Sequence, residues 1–117
     1  MNTVKLSGRL ASYVDLIYTV NKLAIGKFKI EVMETRRDGV QIRTLIPCVC
    51  FDRLAERAAR FKEFDQLQID GKVRSREYTA KNGKLYYDTE IQAYEIQNMT
   101  TNDAAGIPTF TDEEIPF

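Results

Sequence analysis

Lys72, Arg74, Arg76 and Tyr78 recur at every second position in the second half of the chain. In an extended strand that spacing points all four side chains to one face. Such a face can recognise a flexible polyanion that carries flat groups, because cations track phosphates and an aromatic ring gives an unpaired base a surface to stack on. The neighbouring residues enlarge the set. Tyr78 leads into a stretch carrying Lys81 and Lys84 and returning through Tyr86 and Tyr87, while upstream Arg43, Leu45 and Phe51 share a parity of their own. Each has a bland alternative: alternating cations are ordinarily a strand's wet face, and a Phe beside a helix start is more commonly core. Several Arg coinciding with Tyr on one face favours the functional reading, with stacking at roughly 1–3 kcal/mol per base plus cation attraction. Because strand neighbours alternate, one of Tyr86 and Tyr87 is expected to face inward.

Catalytic chemistry is less well supplied. The chain has no His, no Gly-rich phosphate loop, and no Ser or Cys with an evident base partner. A metal-dependent nuclease would need a carboxylate cluster, for which Asp15, Glu31, Glu34 and Asp38 are the conceivable sources. Cys48 and Cys50 sit two apart in an extended run, too close to staple a useful loop and too few for a structural zinc site. They read as buried, reduced packing thiols, which fits the cytoplasm, and no cofactor or metal is expected. Nothing approaches the roughly 18 apolar residues of a membrane span.

The elements that must position these residues follow from periodicity. Val4, Leu6, Gly8 and Leu10 alternate with polar residues, predicting a first strand over Thr3 to Tyr13. Asp15 to Ile25 is ambiguous and reads as a loop at Asn21-Lys22. Alternation resumes with Phe28, Ile30 and Val32 opposite Lys27, Lys29 and Glu31, and Arg37-Asp38-Gly39 reads as a hairpin turn. Val40 to Phe51 forms a third strand, apolar on both faces in its second half, as expected where a sheet is covered twice. Asp52 is the expected N-cap of a short helix from Arg53 to about Phe64, with Leu54, Ala58 and Phe61 on its apolar stripe. Leu67, Ile69, Gly71 and Val73 mark a fourth strand, Asn82-Gly83 a type I′ turn, and Leu85 to Ile96 a fifth. The fold class is therefore all-β. Five strands with one short helix between the third and fourth is the element order of the OB-fold, a five-stranded Greek-key barrel, although a five-stranded sheet with a capping helix has the same order.

Charge divides the 117 residues unevenly. All 17 Lys and Arg lie at or before Lys84, so residues 1–99 carry 17 basic against 13 acidic groups, a net of +4. Beyond Met99 periodicity vanishes. Residues 100–111 read as a flexible linker, and Asp112, Glu113, Glu114, Ile115, Pro116 and Phe117 as an acidic, disordered tip. A partner with a basic rim around an apolar pocket could capture that tip, although taken alone it is equally an ordinary frayed terminus.

Four segments, in order, resemble the bacterial and phage-type single-stranded DNA-binding protein family over nearly the whole length. They are Asn2-Thr3-Val4-Lys5-Leu6-Ser7-Gly8-Arg9-Leu10, Phe51-Asp52-Arg53-Leu54-Ala55-Glu56, Gly71-Lys72-Val73-Arg74-Ser75-Arg76-Glu77-Tyr78, and the closing Asp-Glu-Glu-Ile-Pro-Phe. The resemblance implies an OB-fold that assembles as a homotetramer, or a dimer in some relatives. It also implies coating of single-stranded DNA in replication, recombination and repair, and recruitment of replication and repair proteins through the tip; an interaction adaptor with incidental DNA binding is the alternative. Carried over by position, Phe51 and Tyr78 fall where the family stacks bases, and Arg53, Arg74 and Arg76 among its phosphate-contacting cations. The chain departs from the family at Arg36 and Leu45, where Trp is frequent, and at Ile46, where many members place a His at a subunit contact. With no Trp at all, two stacking platforms are missing unless Arg36 stacks by its guanidinium plane. Such divergence, with a short linker poor in Gly, Pro and Gln, would suit a phage- or plasmid-encoded member.

Overall fold

Alternating burial organises the chain into six strands, labelled β1 to β6, and one helix, α1. In this computed structural model, which describes residues 1–100, β1 spans Val4–Leu10, β2 Asp15–Tyr18, β3 Ala24–Thr35 and β4 Gln41–Phe51. The helix α1 spans Asp52–Ala58, followed by β5 over Gln66–Thr79 and β6 over Leu85–Asn98. The strands form one sheet in the order β1-β5-β6-β4-β3-β2, and a further β1–β3 pairing closes it. Arg9 meets Glu31 and Leu10 meets Ile30 along the same edge of β3 that β2 then occupies from Asp15 to Tyr18. β1 and β2 thus act as two halves of one bent strand, and the closed barrel has five strands, the OB-fold architecture expected from the element order. β4 and β6 make the one parallel contact, Cys48 to Ile91 and Val49 to Gln92.

Inside the barrel, Leu10, Ile30, Leu67 and Ile69 are fully buried, with Phe28, Ile91, Ala93 and Ile96 around them. Ala55 and Ala58 of α1 join this cluster, and Arg57 Nη2 donates to the Ile96 carbonyl oxygen (2.9 Å), tying the helix to β6. Cys48, Val49 and Cys50 are all buried, matching the expectation that β4 is covered on both faces. Burial pushes the Cys48 thiol up to about 12 and the Cys50 thiol up to about 11, so both remain protonated and unreactive packing groups.

Several boundaries differ from the sequence reading. The stretch left ambiguous, Asp15 to Ile25, holds β2 and the start of β3 on either side of the loop at Asn21-Lys22, because pairing with β3 stabilises Asp15–Tyr18 despite its weak local pattern. The helix ends at Ala58 rather than near Phe64, and its last turn tightens through Arg60 N–H donating to the Arg57 carbonyl oxygen (3.2 Å). Asp52 is not the N-cap. Phe51 occupies that position without a side-chain cap, and Asp52 is the first helical residue, at a φ of 60°.

Both long hairpins turn by the same device, which is not type I′. Gly39 N–H donates to the Arg36 carbonyl oxygen and Gly83 N–H to that of Ala80. The Asp38 carboxylate accepts from Val40 N–H (3.1 Å) and the Asn82 side chain from Lys84 N–H (3.0 Å). The glycines alone take positive φ, 86° and 83°, while Asp38 and Asn82 do not, which is the pattern of a three-residue loop with a glycine bulge.

Candidate nucleic-acid interface

Strand register determines which side chains share the outer face. Lys72 lies opposite Gln92, Gln92 beside Val49, and Val49 opposite Lys27, a row that crosses β5, β6, β4 and β3. The next row along that face pairs Arg74 with Glu90 and Pro47 with Lys29. Further out, β5–β6 carries Arg76 opposite Asp88 and Tyr78 opposite Tyr86, while β3–β4 carries Leu45 opposite Glu31 and Arg43 opposite Met33. Because β4 and β6 run parallel, both hairpins extend from the same end of the barrel. Residues scattered from Lys27 to Gln92 therefore form one surface.

The aromatic components differ in exposure. Tyr78 and Tyr86 stack on each other, with centroids 5.8 Å apart and planes at 25°, and both are exposed. Phe51 is half-buried at the end of β4, with the Arg74 guanidinium 5.9 Å from its ring centroid. Leu45 is 41% exposed, an apolar patch without a ring. The expectation that Tyr86 or Tyr87 faces a core fails. Tyr87 lies on the opposite face across from Glu77 but is itself exposed, because the hairpin extends past the barrel and has no interior there.

The cations fall into two groups. Arg36 pairs with Asp38 (3.2 Å), Arg74 with Glu90 (3.5 Å) and Arg76 with Asp88 (3.9 Å). Arg43 binds Glu31, which also binds Arg9; Glu31 is 3% exposed, and the guanidinium groups of Arg43 and Arg9 hold its carboxyl below the ordinary 4.5. Lys72, Lys81 and Lys84 have no carboxylate within ion-pair distance among the described residues. Lys81 and Lys84 lie at the tip of the β5–β6 hairpin. Arg53, in the first turn of α1, lines a shallow pocket with Lys22, Ala24 and Phe51, off the end of the same face.

Lys27 and Lys29 complete the surface. Both are exposed, and with Tyr13, Asp15, Pro47 and Glu90 they line a groove where the hairpins meet the barrel. The sequence placed them on the outward side of their strand but could not connect that side to Lys72 and Arg74, since the link runs through the non-local β4–β6 pairing. Among the described residues no group of three or more metal-binding side chains occurs, and no helix is long and apolar enough to cross a membrane. The acidic tip lies outside the described residues.

A closed five-stranded barrel with a helix after its third barrel strand, and with cations and aromatic rings on one outer face, defines an OB-fold domain equipped to bind an extended anionic chain. The chain belongs to the single-strand binding protein family, whose profile matches residues 1–99. It is 33% identical over 109 residues to the single-stranded DNA-binding protein of Oceanobacillus iheyensis, covering 91% of this chain and 68% of that protein. Single-stranded DNA-binding protein A of Bacillus subtilis is 32% identical over 109 residues, 91% of this chain and 63% of that protein, so the chain spans less than two thirds of that relative. Single-stranded DNA-binding protein 1 of Streptococcus pyogenes is 31% identical over 129 residues, covering 100% of this chain and 99% of its own length.

Proposed function

We propose that this protein is a non-catalytic, sequence-tolerant binder of single-stranded DNA. The observation that carries the reading is the register that aligns Lys72, Arg74, Arg76, Tyr78 and Tyr86 of β5–β6 with Val49, Pro47, Lys27 and Lys29 of β4–β3 on one face. The relatives' shared description as single-stranded DNA-binding proteins supports it. Bases stack on Tyr78, Tyr86 and Phe51, with Arg36 offering a planar guanidinium at the hairpin tip and Leu45 an apolar contact. Phosphates follow Lys72, Lys81, Lys84, Lys27, Lys29 and Arg53, together with those of Arg74 and Arg76 that their acids release. Arg43 serves chiefly to neutralise Glu31.

Residues 1–99 form the DNA-binding domain, 100–111 the linker and 112–117 the tip that recruits replication and repair enzymes. The domain works as a homotetramer, with a dimer as the alternative that light scattering coupled to size exclusion would reveal. The deciding experiment is a fluorescence-anisotropy titration of single- and double-stranded oligonucleotides at several salt concentrations. Preference for the single strand and a negative salt slope are expected, because phosphate neutralisation releases counterions. Replacing Phe51 and Tyr78 by Ala should weaken binding about tenfold or more for each, as loss of a stacking platform does. Equal affinity for both substrates, or unchanged binding by the double variant, would remove the reading.

A further inference from the structure

All four candidate arginines outside the helix have a carboxylate beside them, whereas Lys72, Lys81, Lys84, Lys27 and Lys29 have none within ion-pair distance among the described residues. On the β5–β6 hairpin this is built into the pairing. Glu90 stands directly opposite Arg74, and Asp88 directly opposite Arg76, so the sheet holds each acid across from its arginine. The acids also face the path a strand would take. Glu90 lines the groove with Lys27, Lys29 and Pro47, and Asp88 is exposed one step further along the same face.

We propose that Glu90 and Asp88 are built-in competitors of the DNA phosphates, and that they set both affinity and salt dependence below what the number of cations implies. In the free protein each acid occupies its arginine. A phosphate that approaches Arg74 or Arg76 meets a carboxylate of its own sign and must displace it. The displaced carboxylate then draws a cation from solution, offsetting part of the counterion release that drives binding. Separations of 3.5 Å and 3.9 Å and partial exposure make these pairs displaceable, unlike the buried Glu31 clamp on Arg43. The exposed lysines carry the uncompensated part of the electrostatic attraction. The chain thereby retains arginines for binding while staying dissociable.

The proposal rests on the single-strand reading, and its test separates the two. Labelled oligothymidylate is titrated against the full chain and against Glu90→Gln, Asp88→Asn, Glu90→Asp and Glu77→Gln across a range of salt concentrations. Glu77 carries the same charge on the same hairpin but lies on the opposite face, across from Tyr87, so it controls for net charge. Glu90→Gln and Asp88→Asn should each tighten binding about three- to fivefold at low salt. Each should also steepen the slope of log K against log salt by about 0.7. Glu90→Asp should restore the parent slope, and Glu77→Gln should change neither quantity by a comparable amount. Asp88, exposed on the hairpin, keeps the test open if Glu90→Gln fails to fold. Binding by the parent chain with no tightening in either neutral variant, or equal tightening in Glu77→Gln, overturns the proposal alone. No binding by the parent chain overturns the single-strand reading and the proposal with it.

Discussion

Glu31 is the one charged side chain buried among the described residues, and two arginines from different strands converge on it. Burying a carboxylate is unfavourable unless it is paired, and the pairing from Arg43 and Arg9 lowers its pKa from the ordinary 4.5. A depressed folded-state pKa contributes stability that is complete above the unfolded value and is lost as pH falls through the lowered one. Thermal melts from neutral pH down past 4.5 should therefore show the parent losing an advantage over Glu31→Gln, so that the two curves converge in acid. Parallel curves would show that the clamp contributes nothing. The sequence offered no sign of this role, because Glu31 occupies an alternating polar position like Lys27 and Lys29. Arg43 likewise read as one of the binding cations, since alternation along β4 alone does not show that Glu31 of the paired strand β3 already takes its charge.

At the scale of elements, what was legible followed from local periodicity. Alternation in β1, β3 and β5, with an apolar run in the second half of β4, gave those strands and the outward set Lys72, Arg74, Arg76 and Tyr78. Hairpin positions were legible because Asp-Gly and Asn-Gly break the pattern, although their conformation was not: a three-residue loop and a type I′ turn share that dipeptide. β2 was missed because Asp15–Tyr18 owes its strand conformation to β3 rather than to its own residues. Gly8 shows how closely the strands meet at the barrel's closure. A Cβ there would drive into the Glu31 backbone carbonyl, and backbone cannot swing aside as a flexible side chain can. Gly8→Ala should lower stability in urea unfolding by about 1–3 kcal/mol, the usual consequence of overpacking. An unchanged midpoint would mean that β1 and β3 can separate without loss.

For the molecule as a whole, the uneven distribution of charge along the chain carries a prediction of its own. Residues 1–99 carry a net of +4, whereas the acids Asp112, Glu113 and Glu114 follow about 12 residues later in the sequence. On the proposed single-strand reading, those acids compete with DNA phosphates for the basic outer face. Truncation after Phe110 should then tighten single-strand binding at low salt while abolishing partner recruitment, measured by the same anisotropy titration and by pull-down of a partner enzyme. Weaker DNA binding after truncation would count against the competition. The barrel seam has a consequence of another kind. β3–β4 and β5–β6 each join residues adjacent through a short turn, whereas the parallel contact between Cys48–Val49 and Ile91–Gln92 brings together distant parts of the chain through two register pairs. Hairpins zip from their turns, but this seam closes only after the loop entropy of the intervening chain has been overcome. The seam is one of two non-local joints between the ribbons, the other being β1, which pairs with both β5 and β3, so a transient opening at Cys48–Val49 would leave the two ribbons tethered through β1.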